Sequence, residues 1–249
     1  MAISTSLSIR DAWNIVPVDE RLELLAKAQA EGVLAGFAAL LLMGAIAYGF
    51  DMIWILGCGA VGAVLVFPLF SSYSWRRTKP KAILEYLAAK SVARRYAYEA
   101  RCGDFEVKLM FKGMMERIYA NEEERHLAKQ KSNLGEASHF DEAKEVWIVL
   151  MRGALAILSE RLGGAKLEFI TPIAPETVAR KPKASEPVDP KSIIVVSAGM
   201  KAGETVAITS KYHASLYVFE KQLVRLIEES VIKRQVAENV RVAEVSVVS

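Results

Sequence analysis

Cysteine is scarce in this chain of 249 residues, which contains only Cys58 and Cys102. Cys58 lies inside a long apolar run and Cys102 lies outside it, so we expect no disulfide between them. Two thiols cannot form a disulfide framework, and this usage is typical of a protein in a reducing compartment. The sequence also has no Cys-x-x-Cys pair, which excludes the usual dithiol redox motif.

Motifs of well-known catalytic chemistry are absent as well. The sequence contains no Gly-x-Ser-x-Gly nucleophile elbow and no Gly-rich loop that ends in Gly-Lys-Ser/Thr. The net charge is only +3, which gives no ground for binding to nucleic acid. We therefore expect a protein without enzymatic activity, cofactor or nucleic-acid partner.

Charge is almost missing between Glu31 and Arg76, where Asp51 is the only formally charged residue. Asp51 divides this region into two apolar stretches, and each is close to the ~20 residues that a helix needs to cross a bilayer. The sequence therefore predicts a transmembrane helical hairpin over residues 32–70, with a short turn near Asp51.

The residues that flank this hairpin predict its orientation. The tip from Tyr48 to Met52 contains no Lys or Arg, whereas several basic residues directly follow the second apolar stretch. Lys and Arg favour the cytoplasmic side of a membrane. We therefore expect a two-pass protein of the inner (cytoplasmic) membrane, with both termini in the cytoplasm.

Residues Gly57–Gly62 read Gly-Cys-Gly-Ala-Val-Gly, which formally matches the dinucleotide-binding fingerprint. A dinucleotide site also requires a following helix with a polar face, but the residues that come next are apolar. Small residues in membrane helices let two backbones approach closely. We therefore interpret Gly32 and Gly36 on the first helix, and Gly59 and Gly62 on the second, as helix-packing positions.

The rest of the chain predicts an α+β protein whose soluble part begins with helices. Residues 1–31 form a cytoplasmic N-terminal segment, in which Glu20–Glu31 has the pattern of an amphipathic helix on the membrane surface. Apolar residues at helical spacing predict a mainly helical region over residues 76–177. Its expected helices cover residues 81–101, 104–131 and 138–162, and the last of them includes the buried run Val146–Leu158.

A Pro-rich stretch separates this region from a predicted C-terminal module. Residues 178–191 hold three prolines among charges, which indicates an exposed linker. Residues 192–249 have the pattern of a small ββαβ module whose open strand edges are candidate docking sites. The expected elements are strands at Ser192–Ser197, Thr205–Thr209 and Val240–Val248 and a helix at residues 213–235 with Leu216, Phe219, Leu223, Leu226 and Ile227 facing inward.

Basic residues are concentrated just after the hairpin. Beside a membrane, such cations attract anionic headgroups by ~1 kcal/mol each. Alternatively, the same cations only set the topology and keep a helix soluble. The candidate headgroup-binding residues are Arg76, Arg77, Lys79, Lys81, Lys90 and Arg94.

Two Glu-x-x-His motifs offer the one candidate metal site. Glu123 and His126 form the first motif, and Glu136 and His139 form the second. Such pairs on facing helices can hold two metal ions in the interior of a helical bundle. Because the acidic surroundings of the first motif suggest a solvated surface, the main hypothesis assigns no metal to these residues.

These observations predict a membrane-anchored scaffold or accessory subunit of an inner-membrane assembly, in envelope, secretion or transport machinery. Its expected partners are other proteins of that assembly and anionic lipids, and self-association into a homo-oligomer is compatible with the sequence. Two alternatives stay open: a membrane-associated di-metal enzyme that uses the Glu-x-x-His motifs, and a lipid-binding hairpin that shapes the membrane.

Overall fold

The computed structural model describes residues 13–50, 54–119, 144–161, 164–184, 186, 188–196 and 205–248. These residues form three long helices and a seven-stranded antiparallel sheet, so the predicted α+β class is confirmed. The helices are α1 (Val18–Phe50), α2 (Trp54–Glu99) and α3 (His213–Val248). The strands are β1 (Val107–Ile118), β2 (Lys144–Met151), β3 (Ala154–Arg161), β4 (Gly164–Pro172), β5 (Val178–Arg180), β6 (Ile193–Val196) and β7 (Thr205–Thr209).

The chain divides into two compact units, Met1–Leu87 and Ala88–Ser249. In the first unit, α1 and α2 lie side by side and run in opposite directions. The start of α1 contacts the later part of α2 through Glu20 and Tyr86, whereas Met43 near the end of α1 meets Gly59 near the start of α2.

Both helices are longer than the sequence predicted. The segment Glu20–Glu31 is not a separate surface helix but the first part of α1, where Glu20 and Ala28 are buried. Helix α2 spans 46 residues, about 69 Å at the usual rise, and contains Pro68 and Pro80 inside it. The helix expected over residues 81–101 is therefore not separate but the last part of α2. A proline removes one backbone hydrogen bond, and the rest of the helical ladder continues on both sides.

The second unit contains the sheet, whose strand order is β4-β3-β2-β1-β7-β6-β5. Strands β1 to β4 follow one another as neighbours, and so do β5 to β7. The long strand β1 joins the two sets, because one part of it pairs with β2 and its end pairs with β7. Met114 and Met115, for example, each have a partner on both neighbouring strands.

The helix expected over residues 104–131 is wrong where the structure describes it, since Val107–Ile118 is strand β1. Phe111, Gly113 and Met115 are buried at every second position, whereas Met114 is 42% exposed. This alternation has the two-residue period of a strand, although apolar residues nearby also fit helical spacing.

The helix expected over residues 138–162 is wrong as well, since the run Val146–Leu158 forms most of the β2–β3 hairpin. The run is buried, as predicted, except at Arg152 and Gly153, which make the turn. A Cβ at Gly153 would lie 2.3 Å from the carbonyl oxygen of Cys102, so only glycine fits this close approach. Among the described residues of the region 76–177, the helix therefore ends at Glu99, and the residues after it lie in strands, turns and loops.

The C-terminal residues belong to the same sheet as the rest of the second unit. The predicted strands appear as β6 and β7, but β7 pairs with β1, so they do not form a module of their own. Val240–Val248, expected as a strand, is the end of α3. Helix α3 covers the core as predicted: its residues Leu216, Phe219, Leu223 and Leu226 are buried and Ile227 is partly buried against the core.

The Pro-rich stretch 178–191 is only partly a linker. Its first residues form β5, which pairs with β6, and so β5 and β4 are the outer strands of the sheet. Arg180, the last residue of β5, makes two hydrogen bonds to the carboxylate of Glu186, at 2.5 and 2.8 Å. The backbone N–H of Lys183 donates to the same carboxylate at 2.7 Å. These contacts order part of the loop.

Candidate functional site

The first unit presents an apolar outer surface. By length and composition, Val18–Phe50 and Gly57–Glu99 could each cross a membrane. Large apolar side chains on both helices point away from the helix–helix contact and are exposed, which is unusual for the surface of a protein in water. Examples are Leu34, Phe37, Leu41 and Leu42 on α1 and Val61, Val64, Leu65 and Leu69 on α2.

Small residues line the contact between the two helices. A Cβ at Gly32 would lie 2.8 Å from the carbonyl oxygen of Phe67, and one at Gly36 would lie 3.2 Å from that of Ala63. A Cβ at Gly59 would lie 2.7 Å from the Cβ of Met43. Three of the four predicted packing glycines therefore stand at close approaches.

Gly62, the fourth predicted packing glycine, lies elsewhere on α2. A Cβ at Gly62 would meet no atom within 4 Å, so this residue makes no close helix contact in the described part of the chain. Gly62 is turned by about 60° around the helix axis from Gly59, and its neighbour Ala63 makes the close approach instead, with its carbonyl oxygen facing Gly36. Gly57–Gly62 as a whole lies inside α2, without the strand and turn that a dinucleotide site requires.

Two polar contacts join the helices at their ends away from the tip. The hydroxyl of Ser74 donates to the carboxylate of Glu31 at 2.5 Å. Further along, the hydroxyl of Tyr86 donates to the carboxylate of Glu20, and both side chains are buried. Each pair joins an acid on α1 to a hydroxyl on α2, which sets the register of the two helices.

Next to the Glu31–Ser74 pair lies a cluster of two indoles and two cations, here named the indole cluster (Trp13, Arg21, Trp75 and Lys79). The rings of Trp13 and Trp75 meet edge to face with their centroids 5.4 Å apart. The Lys79 ammonium lies 5.2 Å from the Trp13 ring centroid and 6.0 Å from that of Trp75. The Arg21 guanidinium also lies over the Trp13 ring, 5.7 Å from its centroid. Cation–π contacts of this kind stabilise the placement of both cations.

Arg21 has a structural role inside the indole cluster. Its guanidinium donates to the carbonyl oxygen of Val16 at 2.6 Å, to that of Asn14 at 3.0 Å and to the Asn14 side chain at 3.3 Å. These bonds hold the turn that precedes α1. This cluster was not predicted from the sequence, because Trp13 and Trp75 lie far apart along the chain and no motif links them.

The predicted headgroup residues fall into two groups along α2. Arg76 and Arg77 are exposed, Lys79 belongs to the indole cluster, and Lys81 lies 3.9 Å from Glu85. These four lie within about 8 Å along the helix axis, directly after the apolar stretch.

Lys90 and Arg94 form the second group and begin about 21 Å further along the axis than Arg76. Burial lowers the pKa of Lys90, and the neighbouring Arg94 charge lowers it further. Arg94 donates to the carbonyl oxygen of Phe105 at 3.2 Å. Lys90 and Arg94 therefore belong to the second unit, whereas the other four predicted headgroup residues belong to the first.

The candidate metal residues Glu123, His126, Glu136 and His139 lie outside the described residues. Within the described part of the chain, no group of three or more His, Cys, Asp or Glu side chains could hold a metal ion.

The second unit contains a cleft between α3 and the sheet, here named the α3 cleft, with a volume of about 220 Å³. One wall is the start of β1 and the β2–β3 turn, which contribute Lys108 and Arg152. The other wall is one face of α3, with four residues at the spacing i, i+3, i+4 and i+7: Gln222, Arg225, Leu226 and Glu229. The sequence did not predict this cleft, because its walls come from distant segments.

No protein-family model and no curated protein sequence matches the chain. Among solved structures, it is similar to the DH/PH fragment of PDZRHOGEF in complex with human RhoA, at 10% identity and a TM-score of 0.36, over 78% of this chain and 52% of that one. A ternary complex of human RhoA, its inhibitor and the DH/PH domain of human ARHGEF11 gives 10% identity and a TM-score of 0.38, over 79% of this chain and 53% of that one. The pleckstrin homology domain of the human KIAA0053 protein gives 10% identity and a TM-score of 0.30, over 47% of this chain and 87% of that one. This chain thus spans about half the length of the first two solved chains.

Proposed function

We propose that this protein is a two-pass inner-membrane protein that presents its sheet unit in the cytoplasm. There it acts as a scaffold or accessory subunit of a membrane assembly, in envelope, secretion or transport machinery. The observation that carries the proposal is the distribution of side chains on α1 and α2. Large apolar side chains face outward, while the polar Glu31–Ser74 and Glu20–Tyr86 pairs face inward near one end. That is the reverse of a water-soluble helix pair, and it fits a hairpin in lipid.

The ends of the hairpin support the cytoplasmic orientation. The indole cluster and the exposed Arg76 and Arg77 lie at the end of the hairpin away from its tip. Tryptophans and cations are enriched where hydrocarbon meets water, and cations favour the cytoplasmic side. Tyr48, at the other end, is 93% exposed and has no basic neighbour in sequence.

Labelling of single cysteines tests this orientation. In a Cys58→Ser/Cys102→Ser background, we expect Tyr48→Cys to react with an impermeant maleimide in intact cells. Lys191→Cys, in an exposed turn of the sheet unit, should react only after the membrane is opened. Labelling of Lys191→Cys in intact cells would refute the topology.

Contact with anionic lipid is the second part of the proposal, and the two groups of cations on α2 allow a matched test. We expect the triple variant Arg76→Gln/Arg77→Gln/Lys79→Gln to lose cross-linking to a photoactivatable phosphatidylglycerol. The double variant Lys90→Gln/Arg94→Gln should keep it, because these residues lie about 21 Å or more beyond the apolar stretch. Equal losses in both variants would refute a headgroup site at the helix exit.

The assembly role is tested with the complete chain. We expect the detergent-solubilised protein to co-purify with other membrane proteins in fixed stoichiometry, as measured by native mass spectrometry. A preparation that contains only this chain, as monomer or homo-oligomer, would contradict the role as an accessory subunit of a mixed assembly.

A further inference from the structure

Three cations line the α3 cleft, Lys108, Arg152 and Arg225, and among the described residues the lining contains one acid, Glu229. Each cation has an acidic neighbour, but a ligand can compete for the cations because these ion pairs are weak. Lys108 pairs with Glu106 at 2.7 Å, Arg152 with Asp104 at 3.6 Å and Arg225 with Glu229 at 3.1 Å, all at partly exposed side chains. Such surface pairs are worth about 0–1 kcal/mol each, so a ligand carboxylate can replace them at little cost.

The cleft also contains an acceptor that needs a donor. The side-chain oxygen of Gln222 is buried and accepts no hydrogen bond in the part of the chain that the structure describes. A buried acceptor without a partner costs about 1–3 kcal/mol. A ligand that fits this cleft therefore brings a hydrogen-bond donor as well as negative charge.

The volume of the cleft and its apolar residue indicate the class of ligand. The volume of about 220 Å³ is below that of sites for drug-sized molecules, which start at roughly 300 Å³, so the cleft holds only part of a longer ligand. Leu226 adds an apolar patch to the lining. Carboxylates, backbone N–H donors and short apolar contacts occur together in a peptide.

We propose that the α3 cleft binds an acidic peptide segment of a partner protein. Carboxylates of the segment pair with Lys108, Arg152 and Arg225, and a backbone N–H donates to the side-chain oxygen of Gln222. This inference rests on the proposed function as a protein-binding subunit and names the chemistry of one of its partners.

The test uses the full chain in neutral detergent and a fluorescein-labelled peptide of alternating glutamate and leucine. We expect Arg152→Gln/Arg225→Gln to weaken binding about tenfold or more, because it removes two charged donors. The control Lys191→Gln/Lys233→Gln removes the same charge from exposed positions outside the cleft and should leave the affinity within about twofold. Equal weakening by both double variants would refute a specific site.

A second variant separates the hydrogen bond from general attraction between charges. Gln222→Leu removes the acceptor without changing the charge, so we expect binding to fall about threefold to tenfold. The dependence on salt should stay as in the unchanged protein, whereas Arg152→Gln/Arg225→Gln should reduce it. Unchanged affinity of Gln222→Leu would overturn the proposed donor.

Competition distinguishes a peptide from other anions. Inorganic phosphate and vesicles that contain phosphatidylglycerol should not displace the peptide at matched ionic strength. Displacement by either would show a phosphate or lipid site and overturn the peptide assignment. A chain that co-purifies with its partners but does not bind the peptide would refute this inference alone and leave the proposed function standing.

Discussion

Single glycines decide how closely α1 and α2 approach one another. Gly32 stands where a Cβ would lie 2.8 Å from the carbonyl oxygen of Phe67 and 2.9 Å from the Cβ of Ser71. Neither neighbour is the end of a flexible side chain, so an added methyl group would push the helices apart. Gly62 has open space around it.

We therefore expect Gly32→Ala to destabilise the helix pair by about 1–3 kcal/mol, the usual cost of overpacking. Gly62→Ala, the matched control, should be neutral or stabilising by up to about 1 kcal/mol, because alanine favours helix over glycine. Unfolding of the two variants in mixed detergent measures the difference. A more stable Gly32→Ala would show that the helices do not pack at this position.

Glu186 has a shifted pKa, because Arg180 and the Lys183 backbone N–H bind its carboxylate. The hydrogen bonds from Arg180 contribute most, and together these contacts lower the pKa of Glu186 to about 2. A carboxyl group whose pKa is lowered on folding stabilises the fold above its unfolded pKa, near 4.5. That contribution decreases as the pH falls from about 4.5 towards 2.

We expect the Glu186 carboxyl to titrate near pH 2 in the folded protein, as followed by its carbon chemical shift. In Arg180→Gln the midpoint should rise towards the ordinary range of glutamate, because the main cause of the shift is lost. The control Lys191→Gln removes a nearby exposed cation that does not bind this carboxylate, and it should leave the midpoint in place.

At the scale of elements, acid–hydroxyl pairs hold the register of α1 and α2, and one of these pairs is buried. Glu20 and Tyr86 are both buried, so their hydrogen bond forms away from water and its loss leaves polar atoms poorly solvated. Ala82 and Ala89, on the same side of α2 as Tyr86, are buried too. This part of the contact depends on a specific polar bond as well as on close packing.

We expect Tyr86→Phe to destabilise the contact between α1 and α2 by about 1–3 kcal/mol, because it removes a hydroxyl that donates to a buried carboxylate. Tyr98→Phe is the control, since Tyr98 lies on the same helix and is 73% exposed. Protease accessibility of α1 as a function of temperature reports the change. Equal behaviour of the two variants would contradict a structural role for the Tyr86 hydroxyl.

At the scale of the whole molecule, the last segment of the chain completes the sheet. Truncation after Lys191 would remove β6, β7 and α3, and with them the pairing of β7 with β1. Phe111 would also lose its contact with Phe219, whose ring centroid lies 5.6 Å away. The C-terminal residues are therefore part of the core of the second unit.

We expect the chain truncated after Lys191 to fractionate with membranes, because α1 and α2 remain, but to lose the folded sheet unit. Limited proteolysis should degrade residues after Glu99 much faster than in the full chain. A protease-resistant sheet unit in the truncated protein would contradict the role of β7 and α3 in the core.

Predictions that depend on local sequence patterns succeeded, whereas those that depend on contacts between distant segments failed. The predicted α+β class is confirmed, and the strands β6 and β7 and the inward face of α3 were recognised from local patterns. Residues Val107–Ile118 and the run Val146–Leu158 were predicted as helices, because short apolar segments fit both periods. Their strand structure depends on pairing with partners elsewhere in the chain.

The sequence by itself determined two long apolar helices near the N-terminus, since the lack of charge over some forty residues is a local property. Only the tertiary structure decided that β1 joins both halves of one sheet, that Trp13 meets Trp75, and that Gln222 faces Lys108 and Arg152 across a cleft. These arrangements form between residues that are far apart in the chain. Their free energy comes from burial and pairing that exist only once the distant segments have met.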